Sequence, residues 1–126
     1  MAEMGYVLSS EERTPNEMVR NARRAEEAGF TTAWISDHYH PWIDAQGESA
    51  FVWSVIGGIA SATENIRLGT GVTCPTIRIH PAIIAQATAT SAAMMEGRFW
   101  FGIAAARTST STYLGTTGHR QTLGLR

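Results

Sequence analysis

Residues 34–42, Trp34-Ile35-Ser36-Asp37-His38-Tyr39-His40-Pro41-Trp42, decide how the rest of the chain is read. Trp34 and Ile35 close a short apolar run, and the next residues are polar and aromatic until Pro41 bends the chain. A strand that ends in His, Asp and Trp together is a common seat of chemistry in α/β proteins, where loops at strand ends carry the reacting groups.

Outward from this stretch, helical and extended segments alternate. Upstream, residues 4–8 read as a buried strand and 9–13 as a polar loop. Thr14-Pro15-Asn16-Glu17 is a capping box with proline at the first helical position. The helix it opens runs to Ala28, with Met18, Ala22 and Ala25 inward and Arg20, Arg23, Arg24 and Glu27 outward, and Gly29 stops it. Residues 32–36 form the second strand and 44–48 a polar loop. A helix is expected over 49–63, although Gly57 and Gly58 each weaken it by about 1 kcal/mol. The pair is read as helix–sheet crowding in preference to a close approach to a ligand. Residues 66–72 form the third strand and 73–76 the loop after it. His80-Pro81 opens a helix to about Met95, with Ile83, Ile84, Ala87, Ser91 and Met94 as its inward stripe. Gly97 ends it, and 98–103 is a fourth strand.

The order β-α-β-α-β-α-β implies a parallel sheet with right-handed crossovers. A doubly wound open sheet and a barrel both fit. No Gly-x-Gly-x-x-Gly follows the first strand, which disfavours the dinucleotide-binding open sheet. Polar candidates at the ends of strands two and three favour the barrel. A complete barrel takes roughly 250 residues, so the expected fold class is α/β, the N-terminal half of a (β/α)8 TIM barrel.

A length of 126 residues suits one domain. The net charge of −1 gives no electrostatic footprint for nucleic acid or an anionic membrane, so neither is expected as a partner. All ten basic residues are arginine, read as coding bias. One cysteine, Cys74, excludes an intrachain disulfide, and the reading is a cytoplasmic protein with no membrane span.

His38 beside Asp37 and Trp42 is a candidate general base, or else a loop histidine that only hydrogen-bonds. His38-Tyr39-His40 has an H-x-H spacing that suits a metal. Further ligands are hard to find, because His80 heads a helix and His119 lies in an atypical tail, so no metal is expected. Trp42 is a pocket wall or loop packing, and Cys74 reads as a small packed residue. Gly71-Val72 ends a strand where backbone can approach a flat ligand.

Together, WISDHYHPW, FVWSVIGG, LGTGVTCPTIRIHPAIIAQATAT and EGRFWFGI resemble the luciferase-like superfamily of (β/α)8 barrels, over residues 4–103. Within it the resemblance is to the F420-dependent glucose-6-phosphate dehydrogenase family. It implies a coenzyme F420-dependent oxidoreductase acting on a small-molecule alcohol or sugar phosphate, with homodimers among full-length relatives. The alternatives are an FMN-dependent monooxygenase of the same superfamily and a non-catalytic half-barrel. By the same resemblance His38 falls on the active-site base and Trp42 on the substrate wall. Asp37 falls beside the coenzyme, Gly71-Val72 on a non-proline cis peptide behind its ring, and Cys74 near it.

The resemblance stops after Ile103. Relatives continue with a Gly-rich turn and a glutamate that serves as proton donor; Arg107 stands at that place here. Every Asp and Glu lies at or before Glu96, and from Ala104 onward the chain is rich in Thr, Ser, Gly and Arg. Loss of one nucleotide near the codons for Ile103 and Ala104 explains this, because reading across present codon boundaries permits the missing turn and glutamate. Residues 104–126 are therefore expected to be an out-of-frame, disordered tail, and the chain to be inactive alone.

Overall fold

Four short apolar runs pair edge to edge in the computed structural model, which describes residues 3–75 and 78–104. They are β1 (Gly5–Leu8), β2 (Thr32–Ile35), β3 (Arg67–Thr70) and β4 (Phe99–Trp100), all parallel, in the order β1-β2-β3-β4. Between them run α1 (Pro15–Glu27), α2 (Val52–Ala62) and α3 (Pro81–Met94). This is the N-terminal half of a (β/α)8 barrel, as the alternation of elements predicts. The residues beyond Ala104, Arg107 and His119 among them, and the out-of-frame tail expected there lie outside the described residues.

Local chemistry sets the helix ends. The Thr14 hydroxyl accepts the Glu17 amide at 3.4 Å, while the Glu17 carboxylate accepts the Thr14 amide at 2.9 Å. At the other end Gly29 has φ +91°, and the amides of Gly29 and Phe30 close onto the carbonyls of Glu26 and Ala25. The second helix begins at Val52, later than expected, because the Ser49 hydroxyl donates to the His38 carbonyl and caps no helix. The third strand ends at Thr70 rather than at residue 72, where the Gly71–Val72 peptide bond is cis and the ladder breaks. The fourth is reduced to Phe99 and Trp100, with one further bridge between Thr73 and Ile103.

The core lies between one face of the sheet and the helices. Leu8, Ala33, Ile35 and Leu68 from the strands meet Met18 and Ala22 of α1 and Val52, Ile56 and Ile59 of α2. In α3 the expected stripe is only partly right. Ile84 and Ser91 are buried, whereas Ile83 and Met94 are about half exposed, and Met95 at the C-cap is buried instead. That helix carries no charged residue, so side-chain polarity does not mark its inward face.

Among the described residues no helix lies on the opposite face of the sheet. Val7, Trp34, Gly69 and Trp100 form one row across the four strands. A Cβ on Gly69 would stand 2.0 Å from the Trp100 indole, so glycine there admits the ring. Trp100 meets Trp34 edge-on, with centroids 6.2 Å apart.

Candidate functional site

The C-terminal ends of β1, β2 and β3 open on the same side of the sheet, and their loops are laced together. The Ser36 amide donates to the Leu8 carbonyl, and the Ser10 hydroxyl to the Ser36 carbonyl at 2.7 Å. The Glu48 amide reaches the Glu11 carbonyl at 3.1 Å, which fastens the long loop after β2 to the short one after β1.

Glu11 is the residue this lacing buries. It is 3% exposed, and its carboxylate accepts hydrogen bonds from Ser36 at 2.8 Å, Ser9 at 2.9 Å and the Nδ1 of His38. Burial pushes its pKa up. The hydrogen bonds from His38, from Ser36, from its own backbone amide and from Ser9 outweigh that, and hold it down to about 2. An ionised Glu11 assigns the imidazole proton to Nδ1 and leaves Nε2 as the basic nitrogen of the neutral ring. Trp42, half exposed, stands edge-on to the His38 ring with centroids 4.9 Å apart.

Asp37 turns the other way. It is buried, its Oδ2 accepts the Thr73 hydroxyl at 2.8 Å, and its Oδ1 pairs with the Arg78 guanidinium. Thr73 donates its amide to the Gly102 carbonyl and accepts the Ala104 amide. One carboxylate thus ties the end of β2 to the loop after β3, and through Thr73 to the end of β4. Arg78 also lines a cleft of about 240 Å³ with His38, Tyr39, Ser49, Phe51 and Ile79.

Gly71 is exposed, with Val72 and Cys74 partly buried beside it. A Cβ on Gly71 would lie 3.5 Å from Cγ of Trp34, so glycine leaves the indole and the strand-end backbone open as a flat floor. His80 caps α3 by accepting the Ala82 amide on Nδ1, and Nδ1 of His40 contacts the Pro41 carbonyl at 2.8 Å. Among the described residues no three His, Cys, Asp or Glu side chains are grouped to hold a metal. No helix among them is long and apolar enough to cross a membrane.

His38 and Trp42 therefore meet, with Gly71, Val72 and Cys74 at the neighbouring strand end, while Asp37 acts as a brace. Glu11 and Arg78 are the residues that sequence reasoning missed. An acid three residues past the end of a barrel strand was the available signal for Glu11.

The luciferase-like monooxygenase family model matches residues 2–124. The chain is 44% identical over 100 residues to the F420-dependent hydroxymycolic acid dehydrogenase of Mycobacterium tuberculosis, covering 79% of this chain and 28% of that protein. It is 40% identical over 116 residues to the F420-dependent glucose-6-phosphate dehydrogenase of Kineococcus radiotolerans, covering 90% of this chain and 34% of that protein. Among solved structures, an F420-dependent secondary alcohol dehydrogenase in complex with an F420–acetone adduct superposes with a TM-score of 0.77 at 38% identity. That match covers 80% of this chain and 31% of the other. The chain spans about a third of the length of these proteins.

Proposed function

The chain belongs to the luciferase-like monooxygenase family, and from that premise we propose that it is the N-terminal half of a coenzyme F420-dependent dehydrogenase acting on an alcohol or sugar-phosphate substrate. The observation that carries the proposal is the buried Glu11 carboxylate on Nδ1 of His38, with Trp42 beside the ring, at the C-terminal end of the sheet. The relatives at 44% and 40% identity are both named as F420-dependent dehydrogenases.

A bound deazaflavin would supply the hydride-accepting chemistry, and the protein supplies position and proton handling. Gly71, which has no side chain, the Val72 backbone and Cys74 would hold it, with Asp37 bracing the two loops from behind. His38 takes the substrate hydroxyl proton on Nε2. Glu11 fixes the imidazole by its Nδ1 hydrogen bond and faces the positive charge that forms, as an orienting carboxylate does in other His-based sites. Trp42 covers the open edge of the ring and walls the substrate side.

Titration of the chain with F420 and with FMN, each followed by its own fluorescence, tests the proposal. Saturable binding of F420 at about tenfold or more lower concentration than FMN is expected. A preference for FMN would overturn the coenzyme assignment and favour the monooxygenase branch.

A further inference from the structure

Trp42 stands beside His38 on a stretch of loop that lies open to water. Pro41 before it has no amide to donate, and Trp42, Ile43, Asp44 and Ala45 are all exposed. Gln46 is the one residue of 42–47 that is partly buried. Its Oε1 accepts the Trp42 amide at 2.8 Å and the Ile43 amide at 3.3 Å. Its own amide donates to the Ile43 carbonyl at 3.0 Å. One carboxamide thus closes the turn that presents the indole. Its Nε2 also donates to Glu12 at 3.4 Å, in the loop after β1.

The residues that follow fasten the other ring of the pair. The Ser49 hydroxyl donates to the His38 carbonyl at 2.9 Å, and the Glu48 amide to the Glu11 carbonyl at 3.1 Å. Residues 46–49 are therefore tied to the β1 loop at Glu11 and Glu12, and hold the backbone at both His38 and Trp42. Position 46 must accept two amides and donate to a carboxylate at once, which a carboxamide can do and a carboxylate cannot. The His38 side chain keeps 28% of its surface exposed, and Trp42 borders that opening.

We propose that Gln46 is a positioning residue: through Trp42 it sets how open the His38 imidazole is on the substrate side. It does so by holding the indole edge-on to that ring, and touches neither substrate nor coenzyme. The inference rests on the reading of His38 as base and Trp42 as substrate wall. Its test uses no coenzyme, so the F420 and FMN titrations judge that reading and the signals below judge Gln46.

NMR of the 126-residue chain, with the rate at which diethyl pyrocarbonate acylates His38 read by peptide mass, tests it. In the parent the Trp42 and Ile43 amides are expected to exchange about tenfold or more slower than free amides. The Trp42 ring current displaces the His38 Cε1 proton signal, and Trp42→Leu gives its position and the acylation rate without the indole. Gln46→Leu keeps the bulk and loses the acceptor. It is expected to free both amides, move the His38 signal most of the way to the Trp42→Leu position and raise acylation towards that rate, with the signals of α1 unchanged. Exchanging the pair, Glu12→Gln with Gln46→Glu, keeps an acceptor for the amides and a donor for the carboxylate, and is expected to restore the parent values. Parent amides that exchange at the free rate would overturn the proposal without any variant. So would a His38 signal and acylation rate indifferent to Gln46→Leu, a change that spreads equally through α1, or an exchanged pair that behaves as Gln46→Leu does.

Discussion

At neutral pH the Glu11 carboxylate is ionised, almost fully buried and bonded to Ser9, Ser36 and His38. Its pKa in the fold, about 2, lies below the ordinary 4.5, so its contribution to stability is present above pH 4.5 and is lost as pH falls through 2. Glu11→Gln is expected to cost about 2 kcal/mol at pH 7, within the range for hydrogen bonds to a charged group. The gap between variant and parent is expected to narrow as pH falls from 4.5 towards 2. Urea unfolding across that interval measures it; a gap independent of pH would mean the carboxylate is not held as described. Sequence reading singled out His38 and Trp42 because both sit just past the end of an apolar run. Glu11 stayed hidden among the polar residues of a short loop, since only the lacing of two loops 27 residues apart brings it to Nδ1 of His38. Asp37 was read as lying beside the coenzyme, and the direction in which it turns depends on Thr73 and Arg78, more than 30 residues away.

Elements with strong local signals matched their reading. The capping box and Gly29 bound α1 where expected, because each signal acts within a few residues. The middle of α2 depended on its neighbours. Gly58 packs against α1, where a Cβ would stand 3.0 Å from Cγ2 of Val19, so helix–helix contact, not helix–sheet crowding, explains it. A Cβ on Gly57 would meet only Cε of Met94, at 3.9 Å. Gly57→Ala is therefore expected to raise stability by about 0.5–1 kcal/mol through helix propensity. Gly58→Ala is expected to give no gain, because Val19 must move to admit the methyl. Thermal unfolding of the two variants separates them, and equal gains would contradict the packing. The inward stripe of α3 was misread for a related reason: Ile83 and Met94 are apolar, yet the groove between α2 and α3 leaves them half exposed.

At the scale of the molecule, the sheet order followed from the alternation of strands and helices. That alternation does not say which sheet face stays open, and the exposure of Val7 and Trp34 supplies that answer. The site has the same incompleteness. His38, the Glu11 carboxylate on its Nδ1 and Trp42 stand together at the strand ends, while the chain spans about a third of its relatives. The most direct measurement is therefore made in a completed barrel. Residues 1–103 are grafted in place of the matching part of the hydroxymycolic acid dehydrogenase that is 44% identical, and F420 reduction is followed with an alcohol substrate. The account predicts F420-dependent turnover, lowered about 10²–10⁴-fold by His38→Asn with coenzyme binding retained. Turnover unaffected by His38→Asn, in a chimera that binds F420, would contradict it.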